Sequence, residues 1–208
     1  MNSMNKYTLL LLLSAPIAVS ANYCDDLYKK YSNSWMRDMP KQVCEDAVNG
    51  DAEAQFSVAS WNTRYLRQPE ETYRWIKMSA EQGCAKSQYV LGLHYYDGKV
   101  VDTDWLKAFA WIKKAADNGI PDAQAMLGFM YQHGHAIGQN YTIALELYHK
   151  AAAQHNEDAY LYLGRMYENG MGVTKDYAKA YEYFAKAKIA HVLSYLPDYP
   201  CDIYKDPD

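Results

Sequence analysis

The chain has 208 residues, 21 basic and 25 acidic, for a net charge of -4 with neutral histidines. With no basic stripe in that balance, nucleic acid and anionic membrane surfaces are poor partners. The length suits one continuous domain, and 21 tyrosines supply a residue that gives interfaces large contact area at low entropy cost.

Lys6 precedes an apolar run from Leu9 to Val19, followed by the small residues Ser20 and Ala21. The run is shorter than the about 20 residues a membrane span needs, so residues 1–21 read as a cleaved signal peptide. No cysteine directly follows the cleavage point, which predicts export to the periplasm or medium without a stable membrane anchor. The remaining chain carries Cys24, Cys44, Cys84 and Cys201. An even number in an exported protein predicts two disulfides out of three possible connectivities. Their positions at the flanks and at a repeat junction read as stapling of the ends, with Cys24 joined to Cys44 and Cys84 to Cys201. No C-x-x-C or C-x-x-H spacing supports a metal set. Residues 22–50, with Pro40 at a helix start and CEDAVNG like the end of a second helix, predict an N-terminal helical cap.

A 36-residue block then recurs without a gap at residues 85–120, 121–156 and 157–191. Leu91-Gly92, Leu127-Gly128 and Leu163-Gly164 stand at equivalent places, as do Tyr95, Tyr131 and Tyr167, and Gly98, Gly134 and Gly170 close the first segment. A fourth, diverged copy occupies residues 51–84, with Ala59 in the glycine place and Pro69 in a shortened loop. A period of this size predicts an all-α, right-handed α/α solenoid of about four helix-loop-helix repeats. Residues 192–208, broken by Pro197, Pro200 and Pro207, are expected as an extended tail.

Within each unit, small or apolar residues four apart form one helical face: Ser87, Leu91 and Tyr95, and their equivalents. That face is expected to meet the paired helix, and the glycine beside each leucine to allow close approach. The loop places Val101, Ile137 or Val173 inward, and Asp104, Asn140 and Asp176 sit where an N-cap is wanted. In the second segment Trp75, Phe109, Trp111, Tyr148, Tyr181 and Phe184 lie at helical spacing and are expected in the core.

The pattern A-x-x-x-L-G-x-x-Y-x-x-G-x-G-V-x-x-D-x-x-K-A, met nearly residue for residue in the repeats with Met166 to Ala187 as the closest copy, resembles the Sel-one-like repeat family, a relative of tetratricopeptide repeats. One departure is Gly172, replaced by Val100 and Ala136, which predicts a different shape for those two loops. The resemblance implies a protein-binding scaffold rather than an enzyme. Exported members of this size resemble immunity proteins that neutralise antibacterial effectors such as lipases, with a general envelope scaffold as the alternative. A cysteine-rich branch resembles penicillin-binding hydrolases, but its cysteine pair in each repeat is missing here.

At about 100° per residue, the face of each first helix opposite the leucine stripe carries the candidate partner-binding residues. These are Phe56, Tyr89, Leu93, Tyr96 and Phe129, apolar or aromatic, with Gln132, His133, Arg165 and Glu168 toward the charged end. The expected partner is a protein segment in the concave groove, anchored by aromatics. No G-x-S-x-G, phosphate loop or S-x-x-K set occurs, and the pair His133 and His135 lacks the third ligand a metal site needs. No catalytic residue, metal or cofactor is therefore assigned.

Overall fold

The computed structural model describes residues 23–30 and 40–193, with side chains as far as Lys188. The described residues form ten α-helices and one π-helical turn, with no strand among them. In chain order these are α1 (Tyr23–Lys30), α2 (Lys41–Val48), α3 (Ala52–Trp61), the π-turn (Asn62–Leu66), α4 (Pro69–Glu81), α5 (Ala85–Asp97), α6 (Trp105–Asp117), α7 (Pro121–His133), α8 (Tyr141–Ala153), α9 (Glu157–Asn169) and α10 (Tyr177–Leu193). Four helix-loop-helix repeats result, and contacts cluster in two compact units divided between Thr103 and Asp104. The signal-peptide segment lies outside the described residues. So does the expected tail, except that α10 continues two residues into it, to Leu193.

Helix starts follow the sequence closely. Asp104, Asn140 and Asp176 each accept a hydrogen bond on Oδ1 from the backbone N–H three residues on, at 3.0 Å. Each satisfies one of the donors that a helix start leaves unpaired. Asp51 and Asn156 do the same for the first helices α3 and α9. In the diverged first repeat the π-turn ends at Arg67 with φ +51°, a left-handed stop normally given to glycine, and Pro69 starts α4.

In the first unit α2, α3, α4 and α5 pack in succession around Cys44, Val58, Ala59, Trp75, Ile76 and Leu91. The Cys24–Cys44 disulfide ties α1 to α2 across a sequence separation of 20 residues. Closing a loop of that size is worth about 3 kcal/mol in the chain-entropy account. The phenol of Tyr23 also donates to Glu71 of α4. Cys84 is disulfide-bonded too, and its expected partner Cys201 lies outside the described residues.

In the second unit α7, α8, α9 and α10 pack around Tyr148, Leu163, Met166 and a set of alanines. A Cβ at Gly128 would lie 2.7 Å from Tyr148 Cε1, and one at Gly164 would overlap the Phe184 ring. The glycines thus admit an aromatic ring of the paired second helix. This corrects one expectation. Gly128 and Gln132, four residues apart on α7, both meet Tyr148, so the paired helix lies on the glycine stripe. The leucine-tyrosine stripe faces the second helix of the preceding repeat: Ser87 bonds Ser79, Tyr95 meets Tyr73, and Tyr131 meets the edge of Phe109.

Trp75 and Tyr148 are buried as expected, and Trp111, Phe109 and Phe184 half-buried. Tyr181 is instead 76% exposed. Its equivalents, one repeat apart, have a neighbour: the Gly172 loop of the fourth repeat rests on Tyr141 and Leu145 of the third. No described loop follows α10 to do the same for Tyr177 and Tyr181.

Equivalent glutamines tie three of the first helices to the helix before each. Gln55, Gln88 and Gln124 each donate from Nε2 to a carbonyl eight residues earlier, on Ala47, Ala80 and Ala116. Gln82 and Gln154, at the ends of α4 and α8, donate to the Oε1 of Gln55 and Gln124 in turn.

Candidate functional site

The first unit holds a cleft of about 550 Å³ between its two successive first helices, α3 and α5, with α4 behind. Phe56, Ile76 and Val90 give it apolar walls, Arg64 of the π-turn stands at its edge, and Thr72 and His94 complete it. Thr72 is only 7% exposed, and neither its hydroxyl nor His94 Nε2 finds a hydrogen-bond partner among the described residues. Each such atom costs about 1–3 kcal/mol relative to a satisfied one. Burial, aided by Lys99 and only partly opposed by Asp97, pushes the His94 imidazole below its ordinary range and favours its neutral form. Lys86 Nζ lies 5.9 Å from the centre of the Phe56 ring.

On the second unit, rings gather at the C-terminal end of α7. Phe129 lies 4.0 Å from His133, 5.7 Å from His135 and 5.7 Å from Tyr162 of α9, centre to centre. Trp105, at the start of α6, stacks on His135 at 4.8 Å. Trp105 is 46% exposed and the next residue, Leu106, 69%. His133 Nδ1 is 3.0 Å from the Phe129 carbonyl, and burial, with a smaller contribution from His133, lowers the pKa of His135. The two imidazoles are 5.6 Å apart, and no group of three or more metal-ligating side chains occurs among the described residues. This surface offers apolar contact and polarisable rings.

Four stretches of this chain, residues 52–84, 85–120, 121–156 and 157–188, match the model of the Sel1 repeat. The chain belongs to the Sel1 repeat family. It is similar to a protective antigen of uropathogenic Escherichia coli strains displaying an SLR fold, at 34% identity and a TM-score of 0.64 over 72% of this chain and 32% of the antigen. The chain thus spans about a third of that antigen's length. A Sel1 repeat protein from Oxalobacter formigenes is 36% identical over 57% of this chain and 91% of its own, with a TM-score of 0.53. A sel1 repeat protein from Klebsiella pneumoniae subsp. pneumoniae shares the fold, with 23% identity and a TM-score of 0.58 over 72% of this chain and 73% of that one. No curated protein matches the sequence.

Placed on the Sel1 repeats, the expected partner-binding residues divide. Phe56 lines the cleft, and Phe129 and His133 form the ring cluster. Tyr89, Leu93 and Tyr96 are half-buried on α5, and Arg165 and Glu168 are exposed on α9. Gln132 is a correction. It is 8% exposed, accepts from the Tyr148 phenol at 2.7 Å and donates to Met171 Sδ at 3.8 Å. Its place on the glycine stripe turns it toward the paired helix and away from a partner.

The sequence did not point to Trp105, His135, Thr72, Ile76, Val90 or His94 as members of these surfaces. The cleft is walled by residues of two successive repeats, so a face drawn on one helix alone misses its far side. The signal was in the register: Ser60 and Val90 stand where Phe129 and Tyr162 stand two repeats later.

No described helix is long and apolar enough to cross a membrane. A disulfide such as Cys24–Cys44 belongs to an oxidising compartment.

Proposed function

We propose that this Sel1 repeat chain is a non-enzymatic protein-binding module that acts by occlusion or scaffolding. The observation that carries this is the ring cluster of the second unit, in which Phe129 and Trp105 remain accessible beside Leu106 and are edged by imidazoles. Clustered aromatics with a polar edge are the usual energetic centre of a protein interface. Tyr89, Leu93, Tyr96 and Phe56 on the first unit, and Arg165 and Glu168 on α9, extend the binding faces in this reading. The disulfide and the signal-like residues 1–21 support a periplasmic or secreted setting.

The specific function we favour is that of an immunity or inhibitor protein, which binds one antibacterial effector, such as a secreted lipase, and blocks it. Pull-down with the oxidised full-length chain, beside a Tyr89→Ala, Tyr96→Ala, Phe129→Ala variant, tests this. One stoichiometric partner, lost in the variant and inactivated by the native chain, is the expected result. Equal recovery by both proteins would refute the assignment of the binding face. A second reading, an envelope scaffold, is favoured by the different chemistry of the two units' surfaces, and it requires two partners that bind the chain simultaneously.

A further inference from the structure

The repeat register compares the two units directly. In the third and fourth repeats, Phe129 of one first helix packs against Tyr162 of the next at 5.7 Å. The equivalent pair in the first and second repeats is Ser60 and Val90, and both line the open cleft. The space that a phenylalanine ring occupies in the second unit is therefore vacant in the first, while Phe56, Ile76 and Val90 keep its walls apolar.

The charge at this place is equally one-sided. Arg64 replaces His133 in the register and pairs with no described carboxylate. Lys86 sits above the Phe56 ring, and none of the lining residues is acidic. In a chain of net charge -4, this is a local positive edge around an apolar hole. Arg64 is the one permanently charged residue of the described lining, so the selection for charge falls on it.

We propose that this cleft receives a phenylalanine side chain of a partner segment in which a carboxylate, aspartate or glutamate, follows at once. The ring fills the place that Phe129 fills in the other unit, and the carboxylate meets Arg64. The proposal rests on the reading of the first-helix faces as binding surfaces and adds the chemistry that one of them accepts.

The test is fluorescence anisotropy of the oxidised full-length chain with labelled hexapeptides Gly-Ser-Phe-Asp-Ser-Gly and their Phe-Asn, Phe-Lys and Ala-Asp counterparts. The Phe-Asp peptide should bind about three- to five-fold tighter than Phe-Asn at low salt, as expected for an exposed ion pair, and Phe-Lys should bind weakest. Ala-Asp should not bind measurably. Ser60→Phe, which installs the ring the second unit already accommodates, should abolish binding without unfolding the chain. Arg64→Gln should equalise Phe-Asp and Phe-Asn. Equal binding of the charge series, retained binding by Ser60→Phe, or no binding of Phe-Asp at millimolar peptide would overturn the proposal. So would saturation by free 3-phenylpropionate at the affinity of the peptide, which would make the ligand a small aryl acid. A negative peptide result with a positive pull-down would remove only this cleft, and the reverse would remove only the triple-variant face.

Discussion

Gly128→Ala puts the close approach of paired helices to a quantitative test. The new Cβ would stand 2.7 and 2.9 Å from two carbons of the Tyr148 ring and 3.2 Å from the backbone carbonyl of Ala144. The ring cannot swing away freely, since it is fully buried, stacked on Tyr162 at 5.0 Å and bonded through its hydroxyl to Gln132. Overpacking of this kind costs about 1–3 kcal/mol. Any shift that breaks the phenol hydrogen bond adds about 1 kcal/mol. Against this, alanine is a better helix former than glycine by about 1 kcal/mol. With the phenol hydrogen bond broken, the net expectation is a loss of about 1–3 kcal/mol. Gly164→Ala meets first the half-buried Phe184 ring, which can yield, so the net effect should be smaller. Urea unfolding of the oxidised proteins, read by far-UV dichroism with m-values compared, measures both. A Gly128→Ala protein as stable as the parent, or less affected than Gly164→Ala, would refute the packing argument.

Ala136 holds φ +66° where the next repeat has glycine, so Ala136→Gly should raise stability by about 0.5–1 kcal/mol in the same urea assay. Tyr148→Phe leaves the buried Gln132 Oε1 without its donor and should cost about 1–2 kcal/mol, read as a lower midpoint with an unchanged m-value. Burial holds His94, His135 and His149 below the ordinary histidine value of 6.5 in the folded chain, so the unfolded chain binds more protons just below that pH. Stability present above pH about 6.5 is therefore lost as pH falls toward the depressed values. His94→Gln should flatten the fall between pH 7.5 and about 5.5, and an unchanged slope would contradict it. Asp122 and Asp158, raised by burial, act in the opposite sense at lower pH.

The repeat architecture was legible because every signal recurred. Asp104, Asn140 and Asp176 cap as their position demanded, and the glycines after Leu127 and Leu163 admit rings from the paired helix. The loop departure was half legible. Ala136 adopts the left-handed conformation of Gly172 despite its Cβ, whereas Val100 does not. Which stripe faces which neighbour was misassigned, because a helix in an array has two partners and periodicity alone does not rank them. The stripe of Ser87 and Tyr95 contacts the earlier repeat, and the glycine stripe contacts the paired helix. That misassignment sent Gln132 to the wrong side and left Val90 and His94 out of the candidate site. Tyr181 was read from its equivalents, which are covered by a following repeat's loop. No described residue gives Tyr181 that cover, and periodicity alone does not show which copies have a following loop.

The equivalent glutamines bear on what one copy requires of the next. Gln88 and Gln124 recognise a main-chain carbonyl of the preceding repeat, and Gln55 one of the cap helix α2, a group that every amino acid supplies. This part of the junction does not depend on which side chain the earlier copy presents there, whereas the Ser79–Ser87, Tyr73–Tyr95 and Phe109–Tyr131 contacts beside it do. A unit repeated in register keeps the main-chain part of the seam, while residues that share one register position, such as Ser60 and Phe129, give each face its own character.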